Sequence, residues 1–271
     1  MPTRCVMNQY NKCQVHKQSI LVDQTQMTNE IKSYLICATP RSGSSLLCEA
    51  LRNTGLAGNP DEYFGPMHVE RWNERWQTDS EIEYLEKAIS YSQGATNVIG
   101  MKIMRVYWQN FLGYLHLAKG SDGLTEFEIL KHWFPNLHLI FITRHDKVRQ
   151  GISWSKFLQG SAWHWIDDKP QKLENLAFEP DVIQDFIVQT TAHETAWLEF
   201  FRKNEVKPFT VVYEDLVNSY EETAKRILKH LRIDHPVNLE FGERQFKKQA
   251  DELTDEWVER YLNRFQDTEK M

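Results

Sequence analysis

YLICATPRSGSSLLCEALR, residues 34–52, reads as a strand, a tight turn and a helix in immediate succession. Residues 34–38 form an apolar run of the length of a buried strand. Residues 39–44 are a turn of Pro, Gly and Ser, and residues 45–52 reopen with Leu46, Leu47 and Ala50 on one helical face. The first-turn N–H groups of such a helix lack internal partners, and its dipole places about half a positive charge at that end, so a phosphate or sulfate is stabilised there. Gly43 permits close backbone approach, Ser42, Ser44 and Ser45 add hydroxyl donors, and Arg41 adds a guanidinium fork. The candidate anion-binding set therefore runs from Arg41 through Leu46. A nucleotide-binding loop of the form G-x-x-x-x-G-K-[ST] supplies a lysine to the phosphates. Residues 39–45 hold one glycine and no lysine, and from these residues alone an ordinary strand–turn–helix stays open.

Downstream, Asn59-Pro60-Asp61-Glu62-Tyr63-Phe64 places a carboxylate and two aromatics in a segment that follows the first helix. In an α/β sheet the ligand crevice lies beyond the carboxyl ends of the strands, and such a segment reaches it by folding over. Residues 69–76 and 80–92 read as helices, the second with Ser80 and Glu83 spaced as a capping box. Trp72 and Trp76, one helical turn apart, read as packing residues, with a sugar-facing aromatic platform as the alternative. Residues 97–103 form the next strand, and Lys102 within it is either snorkelling at the strand end or aimed into a polar site. Helices over 104–117 and 125–134 follow, the latter with Thr125 and Glu128 as a capping box.

A second informative stretch, LHLIFITRHDKVRQGISWSKF, covers residues 137–157. Residues 137–143 are a β-rich buried strand with Arg144 at its carboxyl end, and a helix from about Asp146 carries Ser153 and Ser155. A guanidinium at that point can meet a second phosphate of a bound nucleotide, and a serine two turns along the helix can share it. A surface salt bridge between Arg144 and Asp146 is the plainer alternative. Residues 161–178 have no clean period and cluster Trp163, His164 and Trp165, which suits either a loop over a sugar or interface packing. A long helix over 181–204 and a strand over 209–213 complete the pattern, and Ser219 with Glu222 is a last capping box. These strands predict a three-layer α/β/α, P-loop-like fold with a mostly parallel central sheet.

Composition sets the bounds. At 271 residues, 41% hydrophobic and 26% charged, the chain can bury a full core. Residues 1–30 read as an N-terminal extension and 31–271 as a single domain. No segment is apolar enough to span a membrane, and a net charge of −6 argues against general nucleic-acid binding. Cys5, Cys13, Cys37 and Cys48 lack zinc-ligand spacing, and no cluster suits a metal. Reduced thiols in a cytoplasm are the simplest account.

TPRSGSSLL resembles the 5′-phosphosulfate loop of sulfotransferases that use 3′-phosphoadenosine 5′-phosphosulfate (PAPS), with arginine where the cytosolic enzymes have lysine. SGSSLLCEALRNTGLAGNPDEYF is similar to the start of the bacterial trehalose sulfotransferase family, and the likeness extends over about residues 33–265 to DEWVERY near the end, while VVYEDL resembles a segment found widely among sulfotransferases and is read as structural. The resemblance implies PAPS as co-substrate without metal, a carbohydrate or glycolipid acceptor, Glu62 as general base, Arg41 in transition-state stabilisation, and Arg144 with Ser153 at the 3′-phosphate. Ser153 stands nine positions after Arg144 where the cytosolic enzymes usually have eight, and Ser155 is the alternative. Lys102, Trp163 and His164 are weaker acceptor-side candidates. Lys247 and Lys248 are either exposed solvating lysines or a basic loop over the nucleotide. A homodimer is also implied. A non-catalytic nucleotide- or glycan-binding protein and a nucleotide kinase are the rival readings, the kinase disfavoured by the missing lysine.

Overall fold

The structure, a computed structural model, describes residues 31–117, 122–161, 176–246 and 252–268. Its centre is a five-stranded sheet in the order β2-β3-β1-β4-β5, made of β1 (Lys32–Ala38), β2 (Asp61–Glu62), β3 (Val98–Met104), β4 (Leu137–Thr143) and β5 (Phe209–Val212). Every pairing is parallel. Parallel strands are joined by crossovers that cover both faces, so the central strands must be apolar on both sides. β1 meets that demand, with Tyr34 to Ala38 almost wholly buried.

Alternation along the strands divides the core in two. Leu35, Cys37, Met101, Ile103, Leu139 and Phe141 face one layer, where they pack with Trp108, Phe134 and Trp197. Tyr34, Ile36, Ala38, Ile140 and Ile142 face the other, against Leu47 and Leu51 of α1 (Ser44–Arg52) and Ala224 and Ile227 further on. The first layer holds α2 (Pro66–Trp76), α3 (Glu81–Gln93), α4 (Trp108–His116), α5 (Glu126–Trp133) and part of the long α7 (Pro180–Lys203). α6 (Lys147–Lys156) packs on α7 and on the final helix, whose Trp257 and Tyr261 form a third cluster with Ile152 and Ile183. The expected three-layer, mostly parallel α/β/α architecture is thus the observed one.

Several local expectations need correction. The sheet gains β2, two residues long and too short for any periodic signal. The helix expected over 104–117 begins late because Met104 still pairs with Ala38. The chain then makes a 3-10 turn at Arg105–Tyr107 before α4. Ser80 accepts the Glu83 N–H as expected, but the Glu83 carboxylate takes the N–H of Asp79. Thr125 and Glu128 form the full box, whereas Ser219 makes no side-chain cap for α9 (Tyr220–His230), which follows α8 (Tyr213–Asn218). No helix among the described residues is long and apolar enough to cross a membrane.

Strand order also locates the crevice. From β1 the chain leaves toward the β2 and β3 side, while from β4 it leaves toward β5, so the connections diverge between β1 and β4. Ligands of open α/β sheets bind at such a switch point, beyond the carboxyl ends of the strands. Residues 39–43 and Arg144 lie there.

Candidate active site

The turn after β1 is shaped for an anion by its backbone. Arg41 and Gly43 both have positive φ, 60° and 89°. Gly43 is the N-cap of α1 and provides no side-chain cap, and the first turn carries no acidic residue. The N–H groups at the helix start are therefore left for another acceptor. A Cβ at Gly43 would meet the Tyr213 ring at 2.3 Å, so this position needs glycine for space as well as for φ. Gln150 fixes the turn from α6, donating Nε2 to Thr39 Oγ1 at 3.1 Å and to the Pro40 carbonyl at 2.7 Å. Trp197 donates to the carbonyl of Ala38 at 3.0 Å.

Two guanidiniums converge on this turn. Arg41 donates Nε to Ser153 Oγ at 3.0 Å and lies over the Phe157 ring. Burial and the neighbouring Arg144 charge push the Arg41 guanidinium down to about 10. Arg144, 9% exposed, points Nη1 at the Arg41 carbonyl at 3.5 Å and stacks its guanidinium 4.6 Å over the Tyr213 ring. Burial likewise lowers its pKa, against the opposing pull of Tyr213, Asp146 and Glu214. The side chains of Ser42, fully buried, and Arg144 contribute Ser42 Oγ and Arg144 Nε without hydrogen-bond partners. Buried polar atoms are normally satisfied, and two like charges held together repel, so both features leave this turn short of an acceptor or an anion.

The surface salt bridge that the sequence left open for Arg144 is not formed. Asp146 instead caps α6 by accepting the Arg149 N–H and pairs with the Arg149 side chain. Ser155 is buried and accepts from Gln159, while Ser153 faces Arg41. The Leu46 side chain packs in the core, so only its backbone faces the turn. The VVYEDL segment supports the site as a strut: Tyr213 covers Gly43 and Arg144, and Glu214 accepts the N–H groups of His145 and Asp146 at 3.2 Å each.

Glu62 and Lys102 meet through sheet register. β2 pairs with β3 so that Glu62 is opposite Lys102, which puts both side chains on one face. Lys102 Nζ lies 3.0 Å from Glu62 Oε2 and 3.1 Å from Ser45 Oγ in the first turn of α1. Both residues are buried, Glu62 at 5% and Lys102 at 4% exposure. Burial works against the ammonium, but the Glu62 carboxylate, with Asp61 behind it, outweighs it and raises the Lys102 pKa. Of the two readings the sequence left for Lys102, the structure realises the polar site. Trp72 and Trp76 pack with Tyr63 and Tyr91 as expected, and Trp72 Nε1 also donates to the Glu62 carbonyl.

Sequence reasoning missed Gln150, Tyr213 and His68, whose Nδ1 lies 3.6 Å from Glu62 Oε1. Nothing local marks Gln150, since a buried glutamine reads like a surface one. His68 carried a faint signal, six positions after Glu62 and just behind a Gly-Pro helix start. Trp163, His164, Lys247 and Lys248 lie outside the described residues, as do Cys5 and Cys13. Cys37 and Cys48 are buried free thiols, held protonated by burial, Cys48 pushed up to about 12. No group of metal-ligating side chains occurs among the described residues.

Comparison with known proteins adds a family. A model of the Stf0 sulphotransferase family matches residues 33–264. Trehalose 2-sulfotransferase of Mycolicibacterium smegmatis (strain ATCC 700084 / mc(2)155) is 27% identical over 267 residues, covering 87% of this chain and 96% of that protein. Trehalose 2-sulfotransferase of Mycobacterium tuberculosis (strain ATCC 35801 / TMC 107 / Erdman) is 24% identical over 265 residues, with the same coverage of 87% and 96%. Among solved structures, a sulfotransferase from Alicyclobacillus acidocaldarius aligns with a TM-score of 0.45 at 13% identity, covering 86% of this chain and 92% of that one.

Proposed function

Because this chain belongs to the Stf0 sulphotransferase family, we propose that it transfers a sulfuryl group from PAPS to a hydroxyl of a carbohydrate or glycolipid acceptor, with Glu62 as general base. The sugar class is taken from the trehalose 2-sulfotransferases it is similar to. The observation that carries the reading is the contact of Lys102 with both Glu62 and Ser45, which joins a buried carboxylate to the first turn of the anion-binding helix.

The two guanidiniums of Arg41 and Arg144, brought to one turn, and the uncapped start of α1 fit a donor with two anionic groups. Arg41, Ser42, Gly43, Ser44, Ser45 and the Leu46 N–H would hold its phosphosulfate, and Arg144 with Ser153 its second phosphate. When bound, the donor supplies a sulfuryl group on a phosphate leaving group. Glu62 accepts the proton of the acceptor hydroxyl as the oxygen–sulfur bond forms and the bond from sulfur to the bridging oxygen breaks, the remainder departing as 3′,5′-phosphoadenosine. Lys102, Arg41 and the N–H groups of α1 present fixed positive charge to the oxygens on which negative charge develops. Such preorganised stabilisation acts strongly in a buried site.

Calorimetric titration with 3′,5′-phosphoadenosine, beside ATP with Mg²⁺, tests the donor half. Micromolar binding without metal is expected, weakened by about 10- to 100-fold in Arg144→Ala, the size of a lost charge-assisted hydrogen bond. Transfer of labelled sulfate to trehalose and other sugars tests the acceptor half. Preference for ATP with Mg²⁺ would sink the reading in favour of a kinase.

A further inference from the structure

Glu62 has a neighbour that the mechanism above leaves idle. While Lys102 holds Oε2 at 3.0 Å, His68 brings Nδ1 to 3.6 Å from Oε1. This approach is built into the chain between them. β2 ends at Glu62, Gly65 then caps α2 in extended backbone with Pro66 in the first turn, and the N–H groups of His68 and Val69 both bond to the Gly65 carbonyl. One turn beyond His68, Trp72 Nε1 donates to the Glu62 carbonyl at 3.2 Å and locks the helix to the residue whose side chain His68 faces. Gly65 supplies the room: a Cβ there would lie 2.8 Å from Glu62 Oε1, 2.9 Å from His68 Nδ1 and 3.0 Å from Tyr107 Cε2. Three groups converge on a point that only a glycine leaves open.

We propose that His68 is a positioning residue for the sulfuryl transfer: its imidazole steadies Glu62 Oε1 while Lys102 steadies Oε2, so that the carboxylate keeps one orientation toward the acceptor hydroxyl. This inference rests on Glu62 being the base. A carboxylate has about four lone-pair directions, so two holds leave acceptor capacity for the incoming proton. At 3.6 Å the contact is longer than a hydrogen bond, and contacts of this kind tighten when a substrate closes the site.

The charges around His68 decide its protonation. Burial lowers its pKa, Glu62 and Asp61 of β2 oppose this, and Lys102 of β3 and Arg71 of α2 reinforce it; Tyr107 of the 3-10 turn is the remaining titratable group at the Gly65 gap. The imidazole is therefore neutral at pH 7. Below its pKa an imidazolium joins Lys102 beside the carboxylate and holds Oε1 in an ion pair, which leaves that oxygen less free for the acceptor's proton. Activity should fall on the acid side as His68 protonates.

The test combines turnover with a measurement that needs none. With PAPS and a sulfated acceptor in hand, His68→Ala should lower kcat by about 10-fold, a modest share of a general base's worth, while the affinity for 3′,5′-phosphoadenosine stays unchanged as the control for folding. His68→Asn keeps an N–H that can reach Oε1 and cannot titrate, so it should retain kcat within about 3-fold at pH 8 and lose the acid limb assigned to His68. Independently, the NMR titration of the His68 ring should move to lower pKa in Glu62→Gln, because the carboxylate that raises it is gone. Unchanged kcat and acid limb in His68→Ala would overturn the inference, as would a His68 titration indifferent to Glu62→Gln. A wild-type protein that transfers no sulfate would instead sink the function on which the inference rests, whichever way the titration moves.

Discussion

The two halves of the site handle charge in opposite ways. Around Arg41 and Arg144, like charges are brought together, Ser42 Oγ and Arg144 Nε have no hydrogen-bond partners, and a non-glycine residue is held at φ 60°. Around Glu62, opposite charges meet at 3.0 Å, and Lys102 is shared with a serine hydroxyl. On the proposed function, the first half is the one that an anion completes. The second is neutralised from within and set in position before any ligand arrives. On that function, a donor with two anionic groups would stabilise what it binds, whereas a neutral acceptor would find the Glu62 carboxylate already oriented.

This contrast can be attacked from the base side first. Glu62→Gln should lower turnover by roughly 10²–10⁴ while leaving the affinity for 3′,5′-phosphoadenosine nearly intact; a variant with wild-type kcat would remove Glu62 from the chemistry. Next in size is Lys102→Met. It leaves a buried carboxylate without its main partner, and denaturant unfolding should show a loss of about 3 kcal/mol. An unchanged midpoint would mean that the pair is not preorganised. Arg144→Met sharpens the other half: it removes a buried cation whose Nε has no partner, so the ligand-free protein should keep or gain stability as its bisphosphate affinity drops. Destabilisation comparable to that of Lys102→Met would erase the distinction drawn above.

A smaller effect concerns pH. Burial lowers the pKa of His68, His138, His193 and His230 below the ordinary histidine value. The unfolded chain then binds more protons than the folded one just below about pH 6.5, and stability rises with pH through that window. The melting temperature should fall as the protein is acidified from pH 7.5 to 5.5. Because His138 and His230 meet edge to face at 5.2 Å near Arg232 and Lys32, at the opposite end of β4 from Arg144, His138→Phe should flatten this dependence without touching bisphosphate binding. A slope that survives the substitution would shift the cause to the other histidines.

Residues 34–52 and 137–143 were legible because strand and helix leave short-range marks: an apolar run, a glycine in the turn, an apolar face repeating with the helical turn. The box at Thr125 and Glu128 was legible for the same reason, being one local loop of hydrogen bonds. Ser219 and Glu222 carry the equivalent pair, a hydroxyl and a glutamate, at the same spacing without the bond. The chain enters α9 directly from α8, so the serine backbone, at φ −135° and ψ 51°, is not set as a cap requires. Lys102 was conspicuous in its strand, yet its partner was not readable, and neither was the strut made by Tyr213 and Glu214.

What the order of residues decided alone is the sheet with its helices, the anion-seeking turn and the charged groups available near it. Tertiary structure decided which of those groups meet. The pairing of Glu62 with Lys102 depends on the register of a two-residue edge strand, and Gln150, Tyr213 and Trp197 reach the turn after β1 from distant elements. Such contacts are set by how whole layers pack, a global balance of burial and chain entropy to which no single window of sequence gives access.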